Sequence, residues 1–144
     1  MKNNSYIEGP AQYWLFLLIR HPYLDPSIIT REFDLSPSVC QMAGDLRKTP
    51  RGRSLEGVYS ETKWGASIES KNFKDISGGI KQAIHRLSKN SERLARIHAE
   101  GGNVTLIVNL PGDINIGDIF MPDLLRRFAD LHIGLGVEVF PKVV

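Results

Sequence analysis

The sequence is short of cysteine, of long apolar runs and of net charge, and each shortage excludes something. A single thiol, Cys40, cannot close an intramolecular disulfide or build a cysteine-based zinc site. It fits a reducing compartment. The longest apolar run, Trp14-Leu15-Phe16-Leu17-Leu18-Ile19, falls far short of the ~20 residues of a spanning helix. Nor do residues 1–19 make a signal peptide. Glu8 and Pro10 intervene, no A-x-A site follows, and Arg20-His21-Pro22 ends the run abruptly. A cytoplasmic protein with no membrane partner is therefore expected. The net charge of +2 is well below the clustered basic excess of a nucleic-acid binder, so nucleic acid is not the expected partner.

What is present is ordinary globular material. The chain has 144 residues, 42% of them hydrophobic and 24% charged, and this composition suits one domain with a core of its own. Residues 1–12 are polar and unpatterned, which predicts a mobile tail. Residues 13–144 read as a single α+β domain.

Residues 13–20 are apolar on both faces, the pattern of a strand that is central or doubly covered. Asp25 then stands as N-cap before Pro26 at the first helical position. Leu24 and Ile29 have hydrophobic-staple spacing, and the helix should stop near Phe33-Asp34. A short strand is expected within 38–43, and 44–57 reads as a loop. Over 58–68 the period is two: Val58, Ser60, Thr62, Trp64, Ala66 and Ile68 share a face, with Trp64 toward the core. Residues 75–100 carry a helical stripe of Ile80, Ala83, Ile84, Leu87, Leu94 and Ile97, interrupted by Asn90-Ser91-Glu92, so one helix or two abutting ones fit. Gly101-Gly102 supplies its stop. A strand at 104–110 precedes a loop and a helix opened by Pro122, expected to bury Leu124, Leu125, Phe128 and Leu131. Gly134 should end that helix before a last strand at 135–140. This order predicts a mixed or largely antiparallel sheet with helices packed on one face. The first six elements have ferredoxin-like order, and an αβ unit extends them.

These residues in this order resemble a bacterial family known as domain of unknown function 4279. The resemblance is carried by the strand at 13–20, Asp25-Pro26 with Ile29-Thr30, Gly44, Arg51-Gly52-Arg53 and Trp64 on a strand. It continues through Gly102-x-Val104-x-Leu106, Leu124-Leu125-x-x-Phe128-Ala129-x-Leu131 and Gly136-x-Glu138-x-Phe140. It implies a compact bacterial domain and transfers no reaction, catalytic residue or cofactor.

The candidate ligand- or partner-binding residues are Arg47, Lys48, Arg51 and Arg53, four basic side chains in seven positions. Guanidinium forks suit carboxylate or phosphate, although such a cluster is more often a solvated connection. Lys81, His85, Lys89, Arg93 and Arg96 would form a second ridge if the helix were continuous, again more often a solvent face. His21, His85, His98 and His132 show no metal-ligand spacing. His98 and His132 fall late in helices, where the dipole favours a cation. Asp113, Asp118 and Asp123 lack the EF-hand pattern. Cys40, inside a short strand, reads as a buried structural thiol. There is no nucleophile elbow, phosphate loop or dinucleotide fingerprint, so no catalytic residue, metal or cofactor is expected. The leading reading is a non-enzymatic protein-interaction module using a sheet edge, the arginine-rich loop or both; a toxin-neutralising immunity protein is one concrete form. The alternatives are a binding domain for a small anionic ligand and an enzyme assembled from scattered residues.

Overall fold

Alternation decides the first strand. In β1 (Trp14–His21), Leu15, Leu17 and Ile19 are fully enclosed, while Phe16 and Leu18 between them are half-buried. The structure, a computed structural model, describes residues 13–69, 75–113 and 115–141; the tail expected at residues 1–12 lies outside them. After β1 come α1 (Pro26–Phe33), β2 (Val39–Gln41), β3 (Leu46–Lys48), β4 (Ser54–Val58) and β5 (Thr62–Ile68). Then follow α2 (Ile76–Leu87), a 3-10 turn at Ser88–Asn90, α3 (Ser91–Ala99), β6 (Asn103–Pro111), α4 (Pro122–Asp130) and β7 (Ile133–Phe140).

The main sheet has five strands in the order β2-β5-β1-β6-β7. Every pairing is antiparallel except β6 with β7. Without β7, that order is the ferredoxin-like arrangement, and α4 carries the chain over to the added parallel strand. All four α-helices contribute to one core, with Ile29 and Phe33, Ile80 and Ile84, Leu94 and Ile97, and Leu124 and Phe128 meeting the buried sides of β1, β5 and β6. The helices therefore lie on one face of the sheet. β1 is central, as its two-sided apolar pattern implies, yet only one of its faces is covered by helices.

Local chemistry sets the boundaries. The Asp25 carboxylate accepts the Ser27 N–H at 2.9 Å, and this bond holds its pKa below the ordinary value. Asp34 closes α1 in the left-handed region at φ 53°. The carbonyls at that end find side-chain donors: Asn90 Nδ2 reaches Glu32 O and Arg86 Nη2 reaches Asp34 O, both at 2.8 Å. The Arg93 guanidinium grips the Glu32 carboxylate with Nε on Oε1 and Nη2 on Oε2, each at 2.8 Å, so α1 is clamped to α3.

Several expectations need correction. Residues 44–57 are not a loop: β3 and β4 form a separate two-stranded sheet, because Leu46, Leu55 and Val58 flank the turn-forming residues instead of mixing with them. The period-two run at 58–68 is broken. Gly44 N–H donates to Tyr59 O and Tyr59 N–H to Asp45 O, both at 2.9 Å, which turns the backbone away from β1. Only Thr62, Trp64, Ala66 and Ile68 share the buried face; Val58 is exposed. The helical region is two α-helices joined by the 3-10 turn. Leu125 is exposed, one step round the wheel from Leu124. Gly134 is already in β7, and His132 takes the left-handed turn at φ 58°.

Candidate functional site

No described element packs on the side of the sheet away from the helices. Cross-strand register brings its side chains together. Phe16 is opposite Ile107 on β6 and Ser67 on β5, Leu18 is opposite Thr105 and Gly65, and Arg20 is opposite Asn103 and Lys63. Val39 and Gln41 of β2 continue the face beside Gly65 and Lys63. Phe16 fills a gap that a glycine leaves open: a Cβ at Gly65 would stand 2.5 Å from the ring, so the aromatic reaches over β5 at Gly65. Trp14 and Phe140, each 45% exposed, stack obliquely at 5.3 Å between centroids. Asn109, opposite Trp14 on β6, donates through Nδ2 to Trp14 O at 3.2 Å. The result is an apolar platform of Trp14, Phe16, Leu18, Ile107 and Phe140 with polar margins. At one end Arg20 pairs with Glu61 at 2.6 Å, and Lys63 stands beside them.

The four basic residues singled out from the sequence all lie on the β3–β4 hairpin and are all exposed. Arg47 Nη1 donates to Glu56 O across the hairpin at 3.2 Å, its chain lying over Gly57, which adopts φ 86°. Lys48 is fastened through its backbone: its N–H donates to Tyr59 Oη, which donates back to Lys48 O. Arg51 and Arg53 flank Gly52 at the turn, where Thr49 Oγ1 accepts the Arg53 N–H. Among the described residues, the side chains of Lys48, Arg51 and Arg53 form no ion pair. Of the four, only Lys48 lines the open cleft of about 880 Å³ between the hairpin and β2, together with Cys40, Asp45, Thr49 and Tyr59.

Cys40 itself is exposed, not buried, because β2 is a three-residue strand at the edge of the sheet. Partial desolvation, with Asp25 adding to it, pushes its thiol pKa up, away from the reactive thiolate. The second basic ridge is not continuous. The 3-10 turn breaks it, and Arg93 is committed to Glu32. The loop carboxylates serve separate ends. Asp118 accepts from Ser77 N, Ser77 Oγ and Ile119 N, and those bonds hold it below its ordinary pKa. Asp123 pairs with Arg126. His98 and His132 stack face to face at 4.3 Å, although His132 lies beyond its helix. His21 is fully enclosed. Its Nδ1 accepts the Tyr23 and Leu24 N–H groups at 3.0 and 2.9 Å, so the ring proton is on Nε2, which donates to Glu100 at 2.8 Å. With both nitrogens used, the ring braces the turn after β1.

Sequence reasoning missed the platform. Its signal was available in two runs, 14–19 and 104–110, whose apolar residues occupy both parities. No family model, curated protein or solved structure matches the chain.

Proposed function

We propose that this chain is a non-enzymatic module that binds another protein, with the helix-free sheet face as the contact platform and the basic hairpin drawing in an acidic surface. One observation carries the reading: five large apolar side chains, Trp14, Phe16, Leu18, Ile107 and Phe140, share a face on which no described element packs. Apolar patches rimmed by polar groups mark interaction sites, and aromatic anchors dominate their energetics. The uncommitted Lys48, Arg51 and Arg53 side chains favour acidic partners and would act mainly on association rate. The reading takes the protein to be bacterial, as the resemblance to domain of unknown function 4279 implies, and cytoplasmic, as its single cysteine and lack of a signal-peptide pattern suggest; an immunity-type role is one form of it. No helix among the described residues is long and apolar enough to cross a membrane.

A second reading, a small anionic ligand, draws on the cleft beside the hairpin, where Lys48 offers its ammonium near Thr49 and Tyr59. The enzyme alternative gains nothing from Cys40, whose thiol is shifted away from ionisation. The platform reading is tested in one experiment. Proteins captured from a lysate of the source organism are compared for the wild type, the double variant Trp14→Ser/Phe140→Ser, and the triple variant Arg47→Gln/Arg51→Gln/Arg53→Gln. Both variants change exposed residues and should melt like the wild type, since such changes usually stay within about 0.5 kcal/mol. A protein lost by the double variant, and held less firmly at raised salt by the triple, supports the platform. Equal capture by all three retires it.

A further inference from the structure

Among the described residues, the sheet ends on one side in a strand with none of the usual protections. Natural edge strands are kept short, charged, bulged or covered. β2, the opposite edge, has three residues. β7 has eight, Ile133-Gly134-Leu135-Gly136-Val137-Glu138-Val139-Phe140, with one charge, no proline and no register shift against β6. Its backbone orientation follows from one bond: Phe140 O accepts the Gly112 N–H at 2.7 Å, so Phe140 faces β6. By the period of two, Gly134, Gly136 and Glu138 face β6 as well, and Ile133, Leu135, Val137 and Val139 turn their N–H and C=O groups outward.

We infer that β7 pairs antiparallel with β7 of a second copy of this chain, about a two-fold axis at Gly136. That axis sets Leu135 opposite Val137 and Ile133 opposite Val139. All four outward-facing residues then become hydrogen-bonded pairs, the arrangement that satisfies most of the free edge. Side chains agree with this register. On the helix side every cross-axis pair is aliphatic, and on the open side Glu138 meets Gly134 and Gly136 meets itself, so no like charges oppose one another. Glycine within a strand often marks close approach by another backbone.

Exposure points the same way. Val137 is 56% and Val139 60% exposed, although both lie on the side of the sheet that elsewhere forms the core. In a right-handed β6–α4–β7 crossover, the sense such units adopt, the 100° step per residue turns Met121, Leu125 and Ala129 of the α4 segment to its outer flank. Met121 is 63% and Leu125 45% exposed, and a two-fold axis would bring them against their own copies. The contact closes on itself: β7–β7 pairing uses both long edges and leaves only the two short β2 edges, so a dimer forms and a filament does not. An edge ~27 Å long and ~20 Å deep through sheet and helix buries ~500 Å² per copy. A total of ~1,000 Å² is near the lower limit for a specific interface, so dissociation in the micromolar range is expected.

Light scattering coupled to size exclusion, run on the full chain from ~1 to ~500 µM, should show the mass rising from the 16.1 kDa monomer toward twice that value. Val137→Lys places a charge in the apolar seam, and Val137→Pro removes an outward N–H without touching the β6 ladder. Each should remain monomeric throughout while keeping the wild-type circular dichroism. Should either lose its fold, Val139→Lys, with a more exposed side chain, gives the same reading. A wild type that stays monomeric to ~500 µM overturns the proposal, as does a folded variant that dimerises as well as the wild type. Partner capture by the platform is a separate readout, so the loss of one leaves the other standing.

Discussion

Replacing Trp64 tests the core at the point where sheet, α1 and hydrogen bonding meet. Its side chain is 0% exposed. It lies beside Ile19 and Cys40 in the register, and its ring centroid is 6.2 Å from that of Phe33. Its indole N–H donates to Thr30 Oγ1 at 3.0 Å. Truncation of a large buried aromatic to alanine costs about 3–5 kcal/mol. Against the ~7–20 kcal/mol expected for a domain of this size, that is a large fraction, and at about 2–4 °C per kcal/mol the melting temperature should fall on the order of 10 °C. Urea unfolding followed by far-ultraviolet circular dichroism suits the test, since the substitution removes one of two tryptophans. The hydrogen bond is separable through a cycle of Trp64→Phe and Thr30→Val, whose coupling should be about 0.5–1.5 kcal/mol. A loss below about 1 kcal/mol for Trp64→Ala would mean that the core is assigned wrongly. Zero coupling would mean that the bond between β5 and α1 contributes nothing.

Two other predictions follow from named contacts. The Arg93 hydrogen bonds hold Glu32 below its ordinary pKa of 4.5, so the ion pair stabilises the fold above that value and the stabilisation is lost as pH falls through the lower folded value. The stability gap between wild type and Glu32→Gln, at most about 1 kcal/mol for a partly exposed pair, should therefore be full at pH 7 and close below 4.5; a gap unchanged by acid refutes the assignment. At Gly102 a Cβ would stand 2.7 Å from Arg20 O and 2.8 Å from Ile97 Cγ2, one of them backbone that cannot swing aside. Gly102→Ala should cost about 1–3 kcal/mol in chemical denaturation, and a neutral result would show that β1 and α3 are not so closely apposed.

Where one residue's local chemistry decides an element, the sequence was readable. Asp25-Pro26 opens α1 because a carboxylate and a missing N–H both solve the same problem of unpaired donors. The stripe of Ile80, Ala83, Ile84, Leu87, Leu94 and Ile97 is buried, because helical spacing leaves those side chains no other direction to face. The order of elements along the chain is legible from their alternation once the hairpin is set aside, whereas the order of strands in the sheet is not, because it depends on which crossovers pass over which strands. The hairpin failed because composition was averaged over 44–57: Pro50, Arg51, Gly52 and Arg53 belong to its turn, whereas Leu46 pairs with Val58 and Lys48 with Ser54 on either side of it. The reading of Leu125 failed because consecutive leucines on a helix cannot both face inward when the elements pack against one side only.

The candidate site was harder to see, and for a physical reason. A strand with apolar residues at both parities means either two covered faces or one covered and one open, and only tertiary arrangement separates them. Trp14, Phe16 and Leu18 carry the same pattern in both cases. What decides between them is how the other elements are connected. α1 and α4 both contribute to one core, although they cross toward opposite edges of the sheet. Strand directions make the two crossovers equivalent in hand, which leaves the other face without a described helix. The basic residues, by contrast, were easy to find and proved dispersed. Arg47 is turned to the hairpin backbone, Lys48 lines the cleft and Arg51 and Arg53 stand at the turn. Proximity in sequence put them on one hairpin without converging them on one ligand. A site of that form suits long-range attraction of an acidic surface better than bidentate recognition of a single anion, and on that ground the platform, not the arginine cluster, is the better target for mutation.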